Sequence, residues 1–198
     1  MIKRLFILSV VVLGYLVIRD WEKKPLVHPP GVLVIEKPLQ VNLEPSGFMM
    51  DDYRITRRAR FEINARVLSK EPYYMSREAD LSPIDLALGW GVMSDQSVLD
   101  QIDISQSGRW YRTRYEMPPP IPDQQIIYNS SNMHMIPARE DIGRSLKKLR
   151  EGDIIILRGY LVDVDHDSGW HWRTSMSRED TGGGACEIVY VESLDVGI

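Results

Sequence analysis

Fourteen consecutive uncharged residues, Leu5 to Ile18 (LFILSVVVLGYLVI), divide this chain into two materials before any fold is considered. As a helix rising about 1.5 Å per residue the run spans about 21 Å, short of a bilayer core of about 30 Å. Lys3 and Arg4 precede it, Arg19 and Asp20 close it, and Trp21 follows where an interfacial aromatic sits. A snorkelling Arg4, with Ile2 and Trp21 lengthening the apolar stretch, brings a short span within reach. A cleaved signal peptide needs a small-x-small site, and the residues after Ile18 are RDWEKKP. A buried core helix needs a polar face, and this run is apolar on every side. The expectation is an uncleaved signal anchor over residues 1–22, with the lipid bilayer as partner of residues 5–18. The short tail before the run is easily retained in the cytoplasm. The expected location is the inner membrane, single-pass, with the C-terminal domain in the periplasm.

Behind the anchor, Pro25, Pro29, Pro30, Pro38 and Pro45 interrupt helix and central strand, so residues 23–47 read as a Pro-rich tether. The apolar stretch Val32 to Ile35 within it is suited to an edge strand. Residues 48–198 then form one soluble domain, a size that buries a single core. The chain's 24 Lys and Arg face 28 Asp and Glu; without the six basic and three acidic residues of 1–42, residues 43–198 carry 18 and 25, a formal charge of −7. An acidic domain repels phosphate backbones, so no nucleic acid is expected; Arg54, Arg57, Arg58 and Arg60 form the one basic run. The single cysteine excludes an intramolecular disulfide and Cys-rich metal modules.

Within the domain, Ala59, Phe61, Ile63, Ala65 and Val67 alternate with polar residues at a period of two, which specifies a strand with one buried face. Ser82-Pro83-Ile84-Asp85 has the order of a helix start, with the helix ending at Gly89. A second short helix is expected over Ser94–Ile102. Strands follow at Arg109–Glu116, Asn132–Ile136, Asp153–Asp165 with a bend at Gly159, Trp170–Ser175 and Cys186–Glu192, and a helix at Arg139–Arg150 ended by Gly152. Many short strands with two or three helices predict an α+β fold, a small, mostly antiparallel, partly open β-barrel, OB-like or sortase-like.

Three groups of residues attract a chemical reading. Cys186 follows TGGGA, whose bare backbone N–H groups suit an anion nest; His134 is a base for it, with Asn132 or Asp180 as orienting acceptor. The order His134, GD-strand, Cys186 resembles a sortase-type transpeptidase, though no Thr-Cys pair and no arginine after Cys186 complete that pattern. Asp163, Asp165 and Asp167 have calcium-loop spacing, but Ser168 stands at the sixth position and Thr174 at the twelfth, so no metal is expected. Trp170 and Trp172 share one face of a strand and, with Trp110 and Arg112, make candidate ligand-stacking positions. Neither GxGxxG, a P-loop, HExxH nor GxSxG occurs, so no cofactor is expected.

The stretches LSPIDLALGWGVMSD (Leu81 to Asp95), SSNMHMIPA (Ser130 to Ala138) and SREDTGGGACEIVYVESL (Ser177 to Leu194) resemble an uncharacterised family of small, membrane-anchored proteobacterial proteins. The resemblance implies a bacterial envelope setting and brings no activity with it. The sequence thus points to a membrane-anchored periplasmic binding or interaction module, with an envelope protein or a glycan as partner. The alternative is a cysteine hydrolase or transpeptidase using Cys186 with His134.

Overall fold

The computed structural model describes residues 24–177 and 186–197. The expected anchor over 1–22, Asp180 and the TGGGA segment lie outside them. No helix among the described residues is long and apolar enough to cross a membrane.

The period-two segment is the middle of a much longer strand. In chain order the strands are β1 (Leu39–Met50), β2 (Tyr53–Pro72), β3 (Ile84–Gly89), β4 (Asp103–Ser107), β5 (Trp110–Arg114), β6 (Ser130–Pro137), β7 (Ile154–His166), β8 (His171–Trp172) and β9 (Glu187–Val196). The α-helices are α1 (Arg77–Leu81), α2 (Gln96–Leu99), α3 (Asp123–Tyr128) and α4 (Glu140–Lys148), and a 3₁₀ turn covers Gly91–Ser94. The main sheet runs β1-β2-β3-β6-β9-β7-β8, and β2 also pairs with β7. Because β2 is 20 residues long, it holds β7 along one edge while β1 and then β3 occupy the other. The result is an α+β fold with a partly ring-like sheet running β2-β3-β6-β9-β7. All pairings are antiparallel except β6 with β9.

The alternating residues of β2 face the ring's interior, where Ala59, Phe61, Ile63 and Ala65 join Leu86, Leu88, Met133, Met135, Leu157 and Val189 in one core. Ile142 and Leu146 of α4 enter the same core. Each such aliphatic side chain contributes about 1.5–3 kcal/mol by leaving water. The bend expected at Gly159 coincides with a shift in the β7–β9 register between Arg158 and Gly159. A Cβ there would stand 1.9 Å from the Tyr190 carbonyl oxygen, so only glycine lets the two backbones approach.

The edge strand expected at Val32–Ile35 does not form, and three further expectations need correction. Ser82-Pro83-Ile84-Asp85 does not start a helix. Residues 84–89 form β3 and are all buried, because a strand flanked by β2 and β6 saturates its backbone groups in ladders and places both faces in core. The true cap nearby is Ser76, whose Oγ accepts from Ala79 N at the start of α1. The expected helix over Ser94–Ile102 is shorter, with Asp95 as N-cap of α2. The strand expected over Trp170–Ser175 narrows to His171–Trp172.

Residues 24–47 lie against the domain, and β1 begins inside them. The amides of Leu33 and Val34 both donate to Ser94 Oγ at 3.0 Å, and Gly31 N donates to Asp95 Oδ1 at 2.9 Å. Side chains substitute here for the ladder partners that a proline-rich segment lacks.

Candidate functional site

A cleft of about 690 Å³ opens where three connections converge on β6. The β2–β3 connection supplies Tyr73, Ser76 and Glu78. The turn between β4 and β5 supplies Gly108 and Arg109, followed by Trp110. The β7–β9 connection supplies Trp170, His171, Trp172 and Arg173, and Cys186 stands at its end. His134 of β6 forms part of the wall.

The polar centre of the site follows from strand register. Asp85 and His134 are direct cross-strand partners on β3 and β6. Asp85 is fully buried, and its Oδ1 accepts from Arg109 Nη1 at 2.7 Å while His134 Nδ1 lies 2.9 Å away. Neither His134 Nδ1 nor Asp85 Oδ2 has an aligned hydrogen-bond partner among the described residues. The imidazole tilts against the Trp172 ring, with centroids 4.6 Å apart. Its other nitrogen, Nε2, engages no described residue.

Arg109 is the keystone. Gly108 and Arg109 both have positive φ, 57° and 66°, the backbone of a tight hairpin turn. That turn directs the guanidinium inward, where Nη2 donates to Ser82 O at 3.0 Å and Cζ lies 4.1 Å from the Tyr73 ring centroid and 5.2 Å from that of Trp172. The Arg109 amide donates to Tyr73 Oη at 2.8 Å. Burial pushes the Tyr73 hydroxyl up to about 12. Ion pair, backbone bond and cation–π contacts all fix one side chain, so the hairpin tip is held rigidly over the cleft.

Asn132 ties the same hairpin to the sheet. Its Oδ1 accepts from Gln106 Nε2 at 2.6 Å and its Nδ2 donates to Arg109 O at 3.2 Å. Nδ2 also lies 3.8 Å from Cys186 Sγ. Burial raises the Cys186 thiol to about 11, outweighing the opposing hydrogen bond from Asn132. At neutral pH this sulfur is a thiol, and the nucleophilic form is the thiolate.

The structure therefore brings Cys186, His134, Trp110, Trp170 and Trp172 to the lining of one cleft, with Asn132 outside the lining and beside Cys186. Trp170 and Trp172 meet edge to face at 6.1 Å. Arg112 lies outside the lining, exposed, and donates to Ser107 Oγ at 2.9 Å. Beside His134 stands Asp85 rather than Asn132, its Oδ1 2.9 Å from Nδ1 without an aligned hydrogen bond. Of the two residues at the centre of the site, Arg109 is one of the arginines that the sequence interleaves with the aromatics, and Asp85 was absent from the sequence-derived candidates. The available signal was an acid embedded in the apolar run Ile84-Asp85-Leu86: a carboxylate there requires a cation. Of the spaced aspartates, Asp163 accepts from Arg58 and the Thr174 amide and Asp165 pairs with Arg173. No group of three potential ligands assembles among the described residues.

Comparison with protein-family models, with curated proteins and with solved structures finds no match in any of the three.

Proposed function

We propose that this protein is a membrane-anchored binding module of the bacterial envelope, held in the inner membrane by residues 5–18, with its domain in the periplasm and its ligand admitted to the aromatic cleft. The carrying observation is the position of that cleft. Counting only the ring strands, the order is first-second-third-fifth-fourth, with α4 between the third and fourth. This connectivity supports an OB-like barrel, in which ligands lie across the second and third strands between the first–second and fourth–fifth loops. Here those loops carry Tyr73, Ser76 and Glu78 on one side and Trp170 to Arg173 on the other. The alternative, sortase-like chemistry at Cys186, needs a thiolate, and a thiol held at about 11 by burial argues against it.

A cysteine at Met117, which is 81% exposed, tests the topology. A membrane-impermeant maleimide is expected to label Met117→Cys in spheroplasts without lysis. Labelling only after permeabilisation overturns the periplasmic placement.

A further inference from the structure

The described arginines of the cleft are already committed, and this narrows its ligand. Arg109 is paired with Asp85, and its guanidinium lies over the Tyr73 and Trp172 rings. Arg173 pairs with Asp165, and its Nη1 donates to Val164 O at 3.0 Å. Glu78 lines the cleft and forms no ion pair with a described residue. An anion entering here meets the Glu78 carboxylate and finds no uncommitted arginine among the described residues. A cation meets two guanidinium groups, one of them already on the faces of Tyr73 and Trp172. An anion therefore loses hydration without gaining a free counter-charge from a described residue, and a cation gains only Glu78, in a cleft that already holds two guanidinium groups.

Besides Glu78, what remains uncommitted is uncharged chemistry. Trp110 is 47% exposed at the hairpin tip, and no ring or cation among the described residues packs on its indole. His134 lines the cleft with its side chain 5% exposed, and Glu78 offers acceptor oxygens. A flat apolar platform beside hydrogen-bonding groups matches a pyranose ring, with one C–H face and a girdle of hydroxyls.

Resting on the binding-module reading, we propose that the cleft binds an uncharged saccharide, stacked on Trp110 and hydrogen-bonded by His134 and Glu78. Because Asp85 and Arg109 fix the wall and the hairpin tip, the platform is set before the ligand arrives, which lowers the ordering cost.

The test uses the full chain in phospholipid nanodiscs, free of sugar detergents, titrated by calorimetry and tryptophan fluorescence. Three probes are compared: an N-acetylglucosamine tetramer, a deoxythymidine oligonucleotide and an oligolysine peptide. The saccharide is expected to bind, Trp110→Ala to weaken it at least about tenfold, and Trp110→Tyr to retain most of the affinity. Trp110-dependent binding of the oligonucleotide or the peptide, without the saccharide, overturns the saccharide assignment and leaves the binding-module reading standing. Absence of Trp110-dependent binding by all three probes overturns both.

Discussion

Asp85 and His134 face each other across β3 and β6, 2.9 Å apart, on a wall of the cleft, and the carboxylate of that pair is wholly excluded from water. A buried carboxylate is tolerated only with compensation, which Arg109 supplies from a hairpin 24 residues further along the chain. The loop insertion between β3 and β6 is thereby coupled to the sheet through one ion pair.

Replacing Arg109 by Met leaves Asp85 buried beside His134 alone. A loss of about 3–5 kcal/mol in urea denaturation is expected. Combining Arg109→Met with Asp85→Leu removes both charges and is expected to recover much of that loss. A double variant no more stable than Arg109→Met would assign the arginine's contribution to its stacking on Tyr73 and Trp172 instead.

Cys186 is expected to alkylate slowly. A thiol moved from 9.0 to about 11 has a thiolate fraction about a hundredfold below an ordinary cysteine at neutral pH. Iodoacetamide rates measured from pH 7 to 11 should rise throughout, and Asn132→Ala should slow them further by removing the bond that favours the thiolate. Between pH 9 and about 11 the unfolded chain releases this proton while the native chain keeps it. The thiol's contribution to stability is therefore complete below pH 9 and is lost as pH rises towards 11. A rate already at its plateau by pH 8 contradicts this.

Two glycines should respond differently to the same substitution. A Cβ at Gly108 meets nothing within 4 Å, so Gly108→Ala carries only the strain of a φ of +57°, about 1 kcal/mol. A Cβ at Gly159 meets the Tyr190 backbone oxygen at 1.9 Å, and Gly159→Ala should cost at least about 2–3 kcal/mol as the strands separate. Thermal melts of the two variants give the ranking, and equal melting temperatures would contradict it.

Ser94→Ala removes the acceptor of two strap amides. Hydrogen exchange at Leu33 and Val34 is expected to accelerate well beyond exchange in β2, with about 1–3 kcal/mol lost overall. Unchanged protection at both amides would show that Val34, 1% exposed in the core, holds the strap by packing alone.

The elements read correctly from sequence were those with a strong local period or terminator. The alternation around Phe61 marked β2, the Ile142–Leu146 stripe marked α4, and the apolar block after Gly152 marked β7. Ser82-Pro83-Ile84-Asp85 misled because capping chemistry is a local preference of about 1 kcal/mol, and burial of the six residues 84–89 between two strands outweighs it. β1 was hidden by Pro45 and by exposed residues on both faces, and the register between Asn42 and Ser46 shifts around that proline. The aromatic side of the site was visible as residue types, since Trp110, Trp170 and Trp172 stand out in any acidic chain. Arg112 and Arg109 could not be separated by type, because both follow the same turn and interleave with the same aromatics.

By itself the sequence determined what each segment can bury: a charge-free run at the N-terminus, an acidic α+β domain behind it, and a single cysteine without a disulfide partner. Those properties depend on side-chain hydration and on periods of two or 3.6 residues, which neighbours along the chain already contain. The pairing of Asp85 with His134 and Arg109, the upward shift of the Cys186 thiol and the commitment of the cleft's arginines were decided by the tertiary structure alone. They depend on strand register and on which loops meet over β6, and residues dozens of positions apart acquire defined distances only once the sheet curls back on itself.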